Sequence, residues 1–147
     1  MNNRCRKKQS GFTLIEVMVV IVILGILAAI VVPKVMDRPD KARLIKVSQD
    51  LRSIESALNL YRLDNYQYPT TDQGLQALKE KPDGEPVPPH WKSGGYVDRI
   101  PNDPWGNAYQ YLYPGVHGDF DLYSLGADGE LDGEGTNADI GNWSLDG

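Results

Sequence analysis

The feature that most constrains this chain is an apolar run near its start. Residues 17–32 carry no charged or polar side chain. As a helix, residues 12–32 would be about 31 Å long at a rise of ~1.5 Å per residue, which matches the hydrocarbon thickness of a bilayer. An ordinary secretory signal has a shorter apolar core, of roughly 7–15 residues. The sequence therefore predicts a membrane-spanning helix over residues 12–33. No cleavage is expected at the end of this helix, so it stays attached to the rest of the chain.

Basic residues come before the run and few charges follow it closely. The first eight positions hold four of the fifteen basic residues, namely Arg4, Arg6, Lys7 and Lys8. Positive charge favours the cytoplasmic side of a membrane. We therefore expect a single pass with a cytoplasmic N-terminus and the globular remainder on the far side.

Charge and cysteine content exclude several classes of function. The 147 residues have a formal net charge of -5, and residues 115–147 contain eight acids and no Lys or Arg. A nucleic-acid partner is not expected, because phosphate binding needs a basic surface. Cys5 is the only cysteine. It can support neither an intrachain disulfide nor a cysteine-rich metal site.

The chain after residue 33 has the pattern of an α+β domain. An apolar stripe with helical spacing predicts an amphipathic helix over residues 34–64. The stripe consists of Leu44, Val47, Leu51, Ile54, Leu58 and Tyr61. Within residues 65–147 the sequence predicts a short helix at 71–78 with Thr71 as its N-cap, followed by a Pro/Gly-rich loop at 81–95. It also predicts strands at 108–112 and 120–124. A long helix, first hydrophobic and then amphipathic, is thus expected to pack on a small antiparallel sheet.

Glu16 lies inside the apolar segment and needs a reason to be there. One interpretation is local: Thr13 and Glu16 have the spacing of a capping box, in which both side chains bind free amides of the first helical turn. The other is that the carboxylate pairs with a positive charge on another chain. Cleavage just before Phe12 would create such a charge.

The acidic tail is the one constellation suited to a metal. Residues 128–139 are rich in Asp, Glu and Gly and contain no Cys or His. Calcium accepts six to eight oxygen ligands from flexible loops. The spacing partly fits an EF-hand loop, but the predicted flanks are the strand at 120–124 and a turn at 141–143 rather than two helices. The alternative is a solvated acidic turn without an ion.

The N-terminal residues resemble the class III signal of type IV pilins and type II secretion pseudopilins. The resemblance rests on the basic leader, Gly11, Phe12, Glu16 and the long apolar run. It implies that a prepilin peptidase removes residues 1–11 by cutting the Gly11–Phe12 bond, and that Phe12 becomes N-methylated. It also implies that Glu16 neutralises the Phe12 amine of a neighbouring subunit during assembly.

Four further segments are similar to the major pseudopilins of type II secretion: 66–71, 103–106, 124–129 and 138–143. This resemblance implies a calcium loop within 125–143. Its ligands would be the carbonyl of Leu125 and oxygens of Asp128, Glu130, Thr136 and Asp139. Ala138 stands where some members have a second acid, which leaves the complete ligand set open.

The implied function is structural. Such a subunit leaves the bacterial inner membrane and polymerises in the periplasm into a helical pseudopilus that drives export of folded proteins across the outer membrane. Its partners would be copies of itself, the prepilin peptidase, minor pseudopilins, the inner-membrane secretion platform and the membrane. Residues 65–147 would form the periplasmic globular region.

Three alternatives remain at this stage. A type IV pilin shares the first third of the pattern, but lacks the acidic loop and usually has a C-terminal cysteine pair. A membrane-anchored calcium-dependent binding module would keep residues 1–11. An enzyme using Asp119 and Asp121 is not expected, because no nucleophile or histidine spacing accompanies them.

Overall fold

The computed structural model describes residues 11–145, except for the side chains of residues 31–38. The predicted leader, apart from Gly11, lies outside the described residues, and so do the side chains of residues 31–33 at the end of the predicted membrane segment. The described residues fall into two compact units, one ending at Pro39 and the other beginning at Asp40. Each unit is considered by itself.

One α-helix, α1, covers Leu14–Asn65 and contributes to both units. In the first unit the large apolar side chains of Phe12 and of α1 up to residue 30 are exposed, from 49% at Val17 to 87% at Phe12. Within the part of the chain that the structure describes, no helical segment combines the length and hydropathy needed to cross a membrane. The predicted span over 12–33 includes side chains outside that part, and it stays a prediction.

The second unit is built on the amphipathic part of α1. Most of the predicted stripe is buried in the core: Val47, Leu51, Ile54, Leu58 and Tyr61. Leu44 is the exception, with 41% of its surface exposed. The covered face therefore begins one helical turn later than the spacing indicates, at Val47. Tyr68, Leu78, Tyr109, Phe120 and Leu122 complete the hydrophobic core from the other elements.

A three-stranded antiparallel sheet forms with the order β1-β2-β3. The strands are β1 at Gln110–Leu112, β2 at Asp121–Ser124 and β3 at Ile140–Gly141. Tyr111 pairs with Leu122, and Tyr123 pairs with Gly141. The first two strands confirm the predicted strands with shorter bounds. The prediction of a turn at 141–143 was wrong, because Gly141 belongs to β3 and a 3-10 helix follows at Asn142–Ser144.

The predicted helix at 71–78 is shorter and capped differently. A 3-10 helix covers only Leu75–Leu78. The preceding turn is closed by two bonds between Thr70 and Gln73. The Thr70 backbone N–H donates to Oε1 of Gln73 at 3.1 Å, and the Gln73 backbone N–H donates to Oγ1 of Thr70 at 3.2 Å. Thr71 was the wrong cap, because its hydroxyl donates to the carbonyl of Tyr113 and accepts from the Tyr113 amide.

Candidate functional site

The N-terminal site begins with exposed, non-helical backbone. Gly11, Phe12 and Thr13 precede the first residue of α1, and all three are exposed. A Cβ built on Gly11 would meet no described atom within 4 Å. Neither contact nor a left-handed backbone requires glycine at this position in the fold. The described fold therefore places no constraint on the side chain at residue 11, and cleavage at this position stays a prediction.

Thr13 and Glu16 form the predicted capping box. The amide and hydroxyl of Thr13 donate to Oε2 of Glu16 at 3.0 and 3.1 Å. The amide of Glu16 in turn approaches Oγ1 of Thr13 at 3.4 Å. These bonds satisfy donors that the helix itself leaves free at its first turn. The local interpretation of Glu16 is confirmed, whereas its pairing with a cation of another chain stays a prediction.

The acidic loop connects β2 to β3, so it is not flanked by two helices as an EF-hand would be. Gly126 and Gly133 have φ angles of 72° and 120°, which favour glycine. A Cβ at either position would lie 2.5–2.7 Å from the backbone of Asn137. The loop therefore folds closely around Asn137, and both glycines are required by this approach.

Three of the predicted ligands can be located by their backbone contacts or their exposure. The carbonyl of Thr136 accepts from the amide of Ala127 at 2.9 Å, which places residue 136 beside the segment that follows Leu125. Asp128 accepts at Oδ1 from the amide of Glu130 at 3.2 Å. The side chain of Glu130 is exposed.

Asp139 carries the observation that bears on a cation. Its Oδ2 accepts from the amide of Asp132 at 3.1 Å. Its Oδ1 is buried and has no hydrogen-bond partner among the described residues. A buried carboxylate oxygen without a partner is costly in free energy. A cation bound at this oxygen would remove that cost, so Asp139 fits the predicted role.

The acids alone do not make a metal site. Among the side chains that the structure describes, no three His, Cys, Asp or Glu groups converge to hold an ion. The predicted ligand set differs from such a cluster because it includes the backbone carbonyl of Leu125 and an oxygen of Thr136. Calcium accepts these neutral oxygens alongside carboxylates.

A second group of polar residues forms hydrogen bonds at the start of the loop. This group was not identified from the sequence. The buried carboxylate of Asp103 accepts from Ser124 Oγ at 2.6 Å, and Ser124 Oγ accepts from the amide of Gly126 at 3.2 Å. The side chain of Asn107 donates to the carbonyl of Gly126 at 3.2 Å. The only sequence signal was the turn-forming segment 103–106, which revealed no link to residue 124.

The two acids considered for catalysis have separate structural partners. Asp119 is exposed and pairs with Arg62 at 3.1 Å. Asp121 is buried and accepts from the amides of Val116 and His117 at 2.9 and 3.0 Å, and from His117 Nδ1 at 3.0 Å. Burial alone would raise the pKa of Asp121, but these three donors outweigh it and hold the pKa below its ordinary value.

Comparisons with protein families cover almost the whole chain. Residues 34–143 match the family described as type II secretion system, protein G. Residues 6–32 match the prokaryotic N-terminal methylation motif. The second match contains Gly11, Phe12 and Glu16, the three residues singled out at the N-terminus.

Individual relatives match over nearly all of their own length. Type II secretion system core protein G of Pseudomonas aeruginosa is 60% identical over 138 residues, or 94% of this chain and 97% of that protein. The protein of the same name from Vibrio cholerae is 57% identical, covering 95% of this chain and 94% of its own. The crystal structure of the major pseudopilin from the type 2 secretion system of enterohaemorrhagic Escherichia coli aligns with a TM-score of 0.69 and 50% identity, over 78% of this chain and 97% of that one.

Proposed function

The chain belongs to the type II secretion system protein G family, and on that premise we propose that it polymerises in the periplasm into the pseudopilus that drives protein export. The family match spans residues 34–143, where a type IV pilin would differ, and this favours the pseudopilin over that alternative. The role is structural rather than enzymatic. The proposed partners are further copies of the chain, the prepilin peptidase, minor pseudopilins and the inner-membrane platform.

The exposure of the N-terminal apolar side chains carries this proposal. The large apolar residues over 12–30 are about half or more exposed in a single chain. Burying each such side chain contributes roughly 1.5–3 kcal/mol, so leaving them all in water is very unfavourable. Lipid covers them while residues 12–33 span the inner membrane with the N-terminus in the cytoplasm. Helices of neighbouring subunits cover them in the filament.

Processing precedes assembly. We place the cleaved bond between Gly11 and Phe12, and the methylated amine on Phe12. Support comes from the methylation-motif match, from the exposed non-helical backbone at this bond, and from a glycine that the fold itself does not require. Removal of residues 1–11 leaves a new positive charge at the first residue, four positions before Glu16.

Glu16 then supplies the opposite charge for a neighbouring subunit. In the single chain its side-chain hydrogen bonds are to Thr13, and these neutral donors leave the carboxylate charge uncompensated. A charge surrounded by apolar helices is stable only when it is paired. The Phe12 amine of the adjacent subunit provides that partner once cleavage has occurred.

A comparison of two residues of the capping box tests this role. In cells that secrete through this system, the Glu16→Ala and Glu16→Gln chains are expected to be cleaved and inserted into the membrane. They should yield no filaments when the cells are sheared, and secretion should be lost. Thr13→Ala serves as the matched control, because it weakens the same cap and keeps the charge. Normal filaments and secretion in Glu16→Gln, or equal loss in Thr13→Ala, would contradict the proposal.

We also propose that the acidic loop binds calcium through the Leu125 carbonyl, Asp128, Thr136 and Asp139, with Glu130 as a further ligand. The buried, unpartnered Oδ1 of Asp139 and the oxygen-rich, cysteine-free loop support this assignment. Calcium would supply a positive charge that joins the two ends of the loop. Because the ion binds only the folded loop, it links the stability of the C-terminal region to external calcium.

A further inference from the structure

We propose that Asp103 and Asn107 are positioning residues for the calcium loop. Asp103, acting through Ser124, fixes the peptide plane that carries the Leu125 carbonyl, and Asn107 fixes the peptide that follows it. This inference rests on the proposed calcium function. It concerns the hairpin of residues 102–108, which is closed by an antiparallel bridge between Asn102 and Ala108 and lies about twenty residues before the loop in sequence. None of the three side chains belongs to the proposed ligand set.

The hairpin first fixes the carboxylate of Asp103. Its Oδ1 accepts from the amides of Trp105 and Asn107 at 3.1 and 2.8 Å, and the Asp103 amide donates to the carbonyl of Asn107 at 2.9 Å. These bonds lie within residues 103–107. They leave Oδ2 to accept from Ser124 at 2.6 Å, the bond that joins the hairpin to the end of β2.

The fixed hydroxyl of Ser124 then orients the next peptide group. Ser124 Oγ accepts from the Gly126 N–H, which belongs to the peptide between residues 125 and 126, at 3.2 Å. Asn107 Nδ2 donates to the Gly126 carbonyl, which belongs to the following peptide, at 3.2 Å. A trans peptide is planar, with its C=O directed opposite to its N–H. Since the Gly126 N–H points to Ser124 Oγ, the Leu125 oxygen in the same plane points away from it.

The backbone of Gly126 is also confined by residues 136 and 137. Gly126 has a φ angle of 72°, and a Cβ there would lie 2.7 Å from the Asn137 carbonyl carbon and oxygen. The Ala127 amide donates to the carbonyl of Thr136. Gly126, which joins the two peptides, is thus held by Ser124 and Asn107 on one side and by residues 136–137 on the other. Two proposed ligands, Leu125 and Thr136, are brought together by this arrangement.

Groups that orient ligands affect metal affinity even though they do not touch the metal, and their removal typically weakens binding by about 10- to 100-fold. Asn107→Ala removes one donor from a partly buried side chain. Ser124→Ala removes the hydroxyl that joins Asp103 to Gly126. Asn102→Ala is the matched control. The side-chain Nδ2 of Asn102 donates to the Gly106 carbonyl at 3.3 Å, so this bond lies within the same hairpin and does not reach the loop.

The experiment uses the full chain in detergent and measures two quantities for each variant. Isothermal titration with calcium gives the dissociation constant, and thermal unfolding in EGTA gives the stability without the ion. We expect Asn107→Ala and Ser124→Ala to bind calcium at least about tenfold more weakly. Asn102→Ala should bind as the unaltered chain does.

The two readouts separate positioning from a purely structural role. If Asn107→Ala and Ser124→Ala lower the midpoint in EGTA but keep the calcium affinity of the unaltered chain, the inference is overturned while the calcium proposal stands. If the unaltered chain itself does not bind calcium, the calcium proposal fails and the inference falls with it.

Discussion

The indole ring of Trp143 stacks on the imidazole of His117, with ring centroids 3.9 Å apart and planes inclined by 13°. His117 in turn contacts the buried carboxylate of Asp121 through Nδ1. The residues after β3 are thereby attached to the connection between β1 and β2. This contact closes the C-terminal side of the acidic loop, whose other end follows β2.

Gly141 makes this stacking possible, and its substitution provides the first prediction. A Cβ at residue 141 would lie 2.4 Å from two ring atoms of Trp143, so the indole must move if Gly141→Ala is made. Overpacking of this kind costs roughly 1–3 kcal/mol of unfolding free energy. We expect a loss of that size in urea unfolding, together with a changed near-ultraviolet circular dichroism signal from the indole.

Gly84→Ala is the control for this substitution. Gly84 is exposed, and no described atom lies within 4 Å of a Cβ built there. Its effect should remain within about 0.5 kcal/mol. Equal stability of Gly141→Ala and Gly84→Ala would show that the indole does not pack over residue 141.

Asp121 gives a prediction about acid stability. Its pKa in the fold is below the ordinary value of 3.8, so the ionised form stabilises the fold above pH 3.8, and this contribution is lost as the pH falls through the lower folded pKa. Asp121→Asn should therefore lower the unfolding free energy at neutral pH by about 1–3 kcal/mol. The difference from the unaltered chain should narrow in acid, as measured by urea unfolding across a pH series.

The exposed Asp119 offers a comparison for this titration. Asp119→Asn removes a surface ion pair with Arg62, which contributes little to stability. It should change the stability only slightly at every pH. A difference between Asp121→Asn and the unaltered chain that stays constant into strong acid would refute the account of Asp121.

Calcium removal gives the third prediction. With calcium at about 100 times its dissociation constant, binding to the folded state alone adds about 2.7 kcal/mol, and EGTA should remove this stabilisation. Asp139→Asn should abolish the difference between calcium and EGTA. In EGTA it should be no less stable than the unaltered chain, because the substitution removes the charge of a carboxylate whose Oδ1 is buried without a partner.

Differential scanning calorimetry with calcium, magnesium and EGTA measures these effects. Asp72→Asn is the charge-matched control, since Asp72 is exposed and lies outside the loop. It should keep the full response to calcium. A calcium response in Asp139→Asn as large as that of Asp72→Asn would remove Asp139 from the ligand set.

The sequence predicted the helical part of the fold well, because periodicity over many residues is a strong signal. The stripe from Val47 to Tyr61 repeats every three or four residues and is buried as expected. Leu44 continues the same spacing but is exposed. Spacing identifies the face of a helix, whereas the end of that face depends on how far the rest of the domain extends over it.

The third strand could not be predicted for the opposite reason. Ile140–Gly141 is two residues long, too short to show any alternation. Its pairing with β2 depends on the path of the acidic loop and on the Trp143 contact rather than on local preference. Tertiary contacts thus determine a strand where the local sequence favours a turn.

The candidate sites show the same difference between local and long-range contacts. Thr13 and Glu16 are three residues apart, and their local bonds followed from the sequence alone. Asp103 and Ser124 are 21 residues apart, and the bond between them required the folded chain. The unpartnered oxygen of Asp139 was likewise visible only once the loop was folded.

The most direct test of the central claim is the mass of the subunit in sheared filaments. The account predicts a chain that begins at Phe12, lacks residues 1–11 and carries one additional methyl group on the Phe12 amine. Filaments composed of chains that retain Met1 and the leader would contradict it.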